Sequence, residues 1–478
     1  MLREEARTMN PFSTGIGWHL APEDSPSGIG GGQDEEAGPA DGFVGPQPPF
    51  ARKMSPATFI NFGMRISQTM FEDAPNAPGV LAYPVSGRAT PTLMVYSPAY
   101  VKSLLVVDPA LAPSATRMSP LRPILGPDSV LTAIGDRHKR QRALLMPQFH
   151  GRSIANYREG IEKATARHLD SWPVGKPVAV ADIGQEITLD VIMQAIFGVA
   201  EKSDATPAEN RLRRSVIRLL RLSTTTTARV AQMINARRED PNFAQRMVLA
   251  PMDRAIFEVI GERRAGSRSG HDILSVLLTA TTEDGDSLSD SEIRDELVTL
   301  LLAGHETTSN TTAWAFERLT RHRAVYDAAR DAAASGDDDY LEAVLNETMR
   351  SRPVVPVFGR EVLVPWRLGP HVAPAGSVVL ASSLLLHHRD DLYPRPFAFD
   401  PERFVGVKPA PNTLMPFGGG NRRCLGSTLA MAELRIVTGE ILRRVDLQTH
   451  DRPGERPVNR NVTMIPGDGG TVVATRVR

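Results

Sequence analysis

Ser289-Asp290-Ser291-Glu292 reads as a capping box, in which a serine and the glutamate three residues on satisfy each other's backbone N–H groups. From it apolar positions at helical spacing, Ile293, Leu297, Leu300 and Leu301, lead toward Arg321. Roughly 30 residues at 1.5 Å each make a rod of about 45 Å. That is the breadth of a whole domain, so the remaining chain must be built around it. The middle of the rod, AGHETTSNTT from Ala303 to Thr312, departs from what a helix prefers. Gly304 costs about 1 kcal/mol against alanine, and clustered threonines are β-branched. Threonine hydroxyls also bond to carbonyls one turn back, which bends a helix. Such violations in a buried element mark functional sites. Gly304 permits close approach to the backbone, and Glu306 and Thr307 set a carboxylate beside a hydroxyl, a pair able to pass protons. On this segment alone a kinked, solvated face is the competing reading.

Around the rod the sequence keeps supplying helices. Segments of helical spacing fall at Ile154 to Trp172, Ile187 to Phe197, Ala208 to Ala236, Met252 to Arg263, Asp272 to Ala280, Tyr340 to Arg350 and Thr428 to Arg444. Strand-like pieces are fewer: Leu93 to Tyr96, Arg360 to Trp366, and Ser377 to Ala381 behind a Pro374-Ala375-Gly376 turn. No linker or repeat interrupts them from about Phe59 to Asp446. One large domain over residues 51–478 is expected, mainly α with a minor β-sheet region. Ahead of it, APEDSPSGIGGGQDEEAGPADGFVGPQPP cannot bury enough surface to offset chain entropy, so residues 1–50 are expected as a disordered or loosely attached tail. The SGIGGG within it lacks the flanking strand and helix of a nucleotide loop.

Lysine plus arginine and aspartate plus glutamate each number 55, so no overall field draws the chain to nucleic acid or an anionic membrane. No apolar run nears the 18 or so residues of a spanning helix. The N-terminal MLREEARTMNPF carries acids and lacks the apolar core of a secretory signal. A single cysteine excludes an internal disulfide and suits a reducing compartment. A cytoplasmic monomer without a membrane span is expected.

That cysteine, Cys424, lies in FGGGNRRCLG, Phe417 to Gly426. Glycines 418, 419 and 420 permit positive φ and close packing against a flat object, and bring backbone N–H groups toward the sulfur. The segment after it reads as a helix, whose dipole also favours thiolate. A lone cysteine is commonly an inert buried hydrophobe. A thiolate with no second thiol and no metal-binding histidine nearby instead fits one axial ligand of a haem iron.

Phe417-x-x-Gly420-x-Arg422-x-Cys424-x-Gly426 resembles in full the haem-binding signature of the cytochrome P450 haem-thiolate monooxygenases. Further motifs resemble the family in its order. Ala303-Gly304-x-Glu306-Thr307-Thr308 looks like its oxygen-activation motif, Glu347-x-x-Arg350 like its Glu-x-x-Arg helix, and FDPERF from Phe399 like the segment before the haem loop. His138-x-x-x-Arg142 resembles the haem-contacting helix. The resemblance spans about Phe59 to the C-terminus and implies the P450 fold and a haem b (iron protoporphyrin IX), with Cys424 as the axial iron ligand. It implies His138, Arg142, Arg360 and Arg422 as partners of the haem propionates. Phe417, Gly418, Gly420, Gly426, Ala303 and Gly304 would surround the haem, and Glu306 and Thr307 would serve proton delivery. Glu347, Arg350 and Arg403 would form a buried network that holds the fold. In this motif the histidine at position 305 points away, so His305 is left out.

The resemblance implies insertion of one oxygen atom from O2 into a hydrophobic small molecule, of fatty acid, terpenoid, steroid or polyketide-like type. Electrons would come from a ferredoxin or flavodoxin with its NAD(P)H reductase, docking where Arg422, Arg423 and Arg435 form a basic patch. The implied pocket runs from Pro113 to Leu131, through Ala208 to Ala236 and the central helix, to the strand after Pro353. Arg211, Arg214, Arg218 and Arg221 fall on one helical face, read as the solvated side of a lid helix. Two other classes stay open: a peroxide-driven or isomerising haem-thiolate enzyme, and a non-catalytic haem sensor or electron carrier.

Overall fold

The computed structural model describes residues 29–30, 36–52, 66–76, 79–84, 89–199, 201–223, 240–266, 272–281, 287–450 and 452–478. The rod forms as its capping box dictates. A helix spans Asp290–Arg321, the Ser289 N–H donates to Glu292 Oε2 at 2.9 Å, and Ser289 Oγ accepts the Glu292 N–H at 3.3 Å. A second helix, Val180–Phe197, lies along it. The approach is close because each helix carries a glycine at the contact. A Cβ on Gly184 would meet Ser309 Cα at 3.2 Å, and one on Gly304 would meet Ile192 Cδ1 at 2.9 Å. What Gly304 admits is therefore a neighbouring helix.

The larger core packs these two helices with Arg152–Leu169, Pro207–Ser223, Phe243–Arg264 and Ser427–Arg444, through Leu169, Leu212, Ile256, Leu297 and Ile441 among others. A second core seats the helix Pro98–Val106 against a four-stranded sheet through Val101, Leu104, Leu81 and Leu93. The strands run in the order Val80–Tyr83, Thr92–Val95, Ser377–Ser382, Val357–Val362; the middle pair is parallel and the outer pairs are antiparallel. The chain is mainly α with a minor β region, as expected. Among the described residues no helix is long and apolar enough to cross a membrane.

The expected helical segments form with shifted ends, some longer, such as Phe243–Arg264 for Met252 to Arg263, and some shorter, such as Ile273–Thr279 for Asp272 to Ala280. The expected helix Ala208 to Ala236 is described as Pro207–Ser223, and its remainder lies outside the described residues. The expected strand Arg360 to Trp366 is broken instead. Val357–Val362 belongs to the four-stranded sheet and Trp366–Leu368 to another, with Pro365, which has no N–H to donate, at the break. Helices Pro98–Val106 and Arg323–Ser335 were not anticipated.

The last part of the stretch expected as a disordered or loosely attached tail makes defined contacts. Ala37–Pro39 pairs antiparallel with Trp366–Leu368, Glu36 pairs with Arg367, and that guanidinium lies 4.0 Å over the Phe43 ring. Composition measures only buried side-chain surface. Here backbone pairing to an edge strand supplies the order. Residues 1–28 and 31–35 lie outside the described residues.

Candidate active site

The central helix, the cysteine loop, the helix Gly135–Leu145 and the strand Val357–Val362 enclose a cavity of about 1340 Å³. Cys424, Glu306, Thr307, Ala303, Gly304, His138, Arg142, Arg360, Arg422, Phe417, Gly418 and Gly426 all line it. They come from four regions of the sequence and meet at one place. The wall also takes in Ser114 to Leu131, Leu219 to Leu222 and Val354 to Val357, the segments expected to form a pocket.

The cysteine loop closes on itself through the Cys424 N–H, which donates to Phe417 O at 2.9 Å. Gly418 and Gly420 take positive φ, +63° and +62°. Gly420 itself does not line the cavity. A Cβ there would meet Leu105 O at 2.5 Å, so this glycine seats the loop on the end of the helix Pro98–Val106. Ser427–Arg444 begins three residues after Cys424. The sulfur is open to the cavity. Burial pushes its thiol pKa up, against the Gly426 N–H, Arg142 and Arg423. The expected preference for thiolate is thus outweighed by desolvation, and a cation above the sulfur would have to reverse it.

Four nitrogen-bearing side chains converge on one side. Burial first, then the charges of Arg422, Arg142 and Arg360, push the His138 pKa down to about 4. Burial lowers Arg360 to about 10, and burial with Arg360 and Arg142 lowers Arg422 to about 10. Among the described residues no carboxylate offsets the charge at any of these three groups. Arg422 Nη1 donates to the carbonyls of Val130 and Leu131 at 3.3 Å each, and Nη2 to that of Ala133. Arg422 is therefore drawn inward and does not join Arg423 in a surface patch. Arg435, the third expected member, pairs with Glu342 at 3.3 Å.

Across the cavity, Thr307 Oγ1 donates to Ala303 O at 2.7 Å, the one-turn back-bond expected of a helical threonine. Glu306 Oε1 accepts from Arg460 Nε at 2.8 Å and from Thr463 Oγ1 at 2.6 Å. These two partners escaped the sequence reading, because nothing local links a C-terminal hairpin to the central helix. His305 is buried away from the cavity, its Nδ1 2.9 Å from Thr188 Oγ1. Glu433 also went unnoticed: it is buried, lines the cavity, and its Oε1 has no partner among the described residues. On the lid helix Arg211, Arg214, Arg218 and Arg221 are all exposed, with Arg211 paired to Glu258.

The family model described as Cytochrome P450 matches residues 82–471. A Mycobacterium tuberculosis chain named cytochrome P450 135B1 is 38% identical over 391 residues, covering 79% of this chain and 81% of its own length. Another from that organism, cytochrome P450 137, is 37% identical over 366 residues, 76% of this chain and 75% of its own. Among solved structures, the retinoic acid-bound cyanobacterial CYP120A1 superposes with a TM-score of 0.75 at 22% identity, covering 91% of this chain and 100% of its own.

Proposed function

The chain belongs to the cytochrome P450 family of haem-dependent monooxygenases, and from that premise we propose that Cys424 holds a haem b at which one atom of O2 enters an apolar small molecule. The observation that carries this reading is the joint lining of one cavity by the sole cysteine and by His138, Arg142, Arg360 and Arg422. Haem is a planar group with two carboxylates. A thiolate ligand, three guanidinium groups without an acid partner among the described residues, and the imidazole of His138 suit it, and each charge-assisted hydrogen bond to a propionate is worth about 1.5–3 kcal/mol. When bound, haem supplies the iron that activates O2, with the axial thiolate raising electron density for O–O cleavage.

The chain's own residues do the rest. Phe417, Gly418 and Gly426 line the cavity beside the sulfur, and the small Ala303 and Gly304 line it on the central helix. Glu306 and Thr307 present a carboxyl and a hydroxyl on that wall, an acid and alcohol pair that would supply protons to the reaction. Leu125, Val130, Leu220, Leu249, Val354 and Val357 give the remaining space an apolar surface, which favours a fatty acid, terpenoid, steroid or polyketide-like substrate. Ferredoxin or flavodoxin, reduced by an NAD(P)H reductase, would deliver electrons behind the cysteine loop, where exposed Arg423 remains of the expected patch. Residues 51–478 form the catalytic domain in this reading, working as a cytoplasmic monomer.

The carbon monoxide difference spectrum of the reduced, haem-loaded protein tests thiolate ligation directly. Cys424→Ser is expected to abolish the thiolate-type band, and its persistence would sink the assignment. Turnover with a surrogate ferredoxin system and O2, against hydrogen peroxide alone, separates a monooxygenase from a peroxide-driven enzyme. The adjacent Glu306 and Thr307 favour the former. Among the described residues His138 is the one histidine lining the cavity, and it sits beside Arg142, Arg360 and Arg422, so the wall of Ala303 and Gly304 offers no histidine as a second iron ligand.

A further inference from the structure

The Glu306 carboxyl is held in place by a hairpin. Pro457–Arg460 pairs antiparallel with Thr463–Pro466, and Arg460 opposes Thr463 across a two-residue turn. Within the turn Asn461 takes the left-handed region at φ +54°, which asparagine tolerates. Both ends of the turn reach the same oxygen, Arg460 Nε at 2.8 Å and Thr463 Oγ1 at 2.6 Å. Both side chains are buried, and Arg460 Nη2 has no partner among the described residues. Asn461, Val462 and Thr463 line the cavity together with Glu306.

Thr463 carries the stronger constraint. Its hydroxyl owns one proton, yet two acceptors lie in reach: Glu306 Oε1 at 2.6 Å and Arg460 O at 2.8 Å. With the carboxyl ionised, the hydroxyl donates to Glu306. With the carboxyl protonated, Glu306 donates to Thr463 Oγ1 and the hydroxyl turns to the Arg460 carbonyl. Either way the carboxyl keeps its hydrogen bond and its place. Resting on the reading of Glu306 as a proton donor, we infer that Arg460 and Thr463 are positioning residues for it, with the Thr463 hydroxyl turning between the Glu306 carboxyl and the Arg460 carbonyl as Glu306 loses a proton to the cavity and regains one from solvent water. Only a proton and the hydrogen bonds around it change; no electron moves.

Thr463→Val removes the hydroxyl at nearly constant shape, and Thr463→Ser restores it. In infrared difference spectra of the haem-loaded protein, the carboxyl band that vanishes in Glu306→Gln is expected to shift in Thr463→Val and to return in Thr463→Ser. With dodecanoic acid as an apolar probe, product formed per electron pair is expected to fall about 10-fold in the valine variant and to recover in the serine variant, with an unchanged carbon monoxide spectrum. Should the valine variant fail to fold, Thr463→Ala carries the same expectations. An unmoved band with intact coupling in Thr463→Val overturns the inference, and so does equal impairment by valine and serine, which marks a purely structural role. If Glu306→Gln itself couples normally, the reading of Glu306 falls first.

Discussion

Arg350 Nε lies 2.6 Å from Glu347 Oε2 and Arg350 Nη2 lies 2.7 Å from Glu347 Oε1, a two-point pair with both side chains wholly buried. The pair is tied outward. Glu347 Oε1 accepts the Asp400 N–H at 2.9 Å and stands 3.6 Å from Arg403 Nε, while Arg350 donates to the carbonyls of His387 and Ala398 at 2.8 and 3.2 Å. It therefore fastens the helix Asp338–Ser351 to the segment that precedes the cysteine loop. Glu347→Gln strands the arginine charge and is expected to cost about 3–5 kcal/mol. Urea unfolding and the fraction of protein that takes up haem check this. Wild-type values for both would show the pair to be dispensable.

Thr307→Ala is expected to keep haem and to lose product. Among the described residues the hydroxyl bonds only to Ala303 O, within its own helix, so its removal leaves no other side chain among them without its partner. General acid–base assistance is worth about 10²–10⁴-fold, and the loss should appear as peroxide released in place of product. Thr307→Ser should recover a large share. The measurement is product and peroxide formed per NAD(P)H consumed.

His138 links stability to pH. Its pKa is near 4 in the fold against an ordinary value of 6.5, so on acidification the unfolded chain binds the proton first. Stability is then intact above pH 6.5 and is lost as pH falls toward 4, by on the order of 3 kcal/mol for this group. His138→Gln in the haem-free protein should flatten that part of the curve. Thermal midpoints measured between pH 4 and 7 decide it, and an unchanged slope in the variant would refute the assignment.

Glu433 has the opposite sign. Burial alone raises its carboxyl to about 8 from an ordinary 4.5. The fold holds the proton that the unfolded chain releases, so this contribution is fully present below pH 4.5 and is lost as pH rises through 8. Glu433→Gln keeps the neutral shape at every pH. It should match wild type near pH 4 and exceed it increasingly toward pH 8, again by thermal midpoint. A constant offset across that range would mean that packing, not protonation, distinguishes the two.

Much of the site was legible because its signals are local. A capping box four residues long starts the central helix at Ser289, and back-bonding threonines follow from side chains one turn apart. The cysteine loop is a ten-residue pattern whose backbone closes between Phe417 and Cys424. Helical periodicity placed most of the large core, since burial of one face repeats every three or four residues.

Other features were out of reach for equally physical reasons. The tail strand Ala37–Pro39 is held by an edge more than three hundred residues away, and neither Gly nor Pro in it carries a strand signal. The expected basic patch loses Arg422 because a sequence gives the charge of that residue but not the direction of its side chain, which the carbonyls of Val130, Leu131 and Ala133 draw inward.

By itself, then, the chain of residues determined where most of the helices form, which thiol is available and which acid stands beside which alcohol, because those follow from interactions within a turn or two of backbone. Only the tertiary structure decided that Gly420 meets Leu105, that Arg460 grips Glu306 from 154 positions away, and that four cationic or imidazole groups share a cavity with the one thiol. Contacts of that range depend on how whole elements pack, and packing is set by the sum of many buried surfaces that no short window of sequence contains.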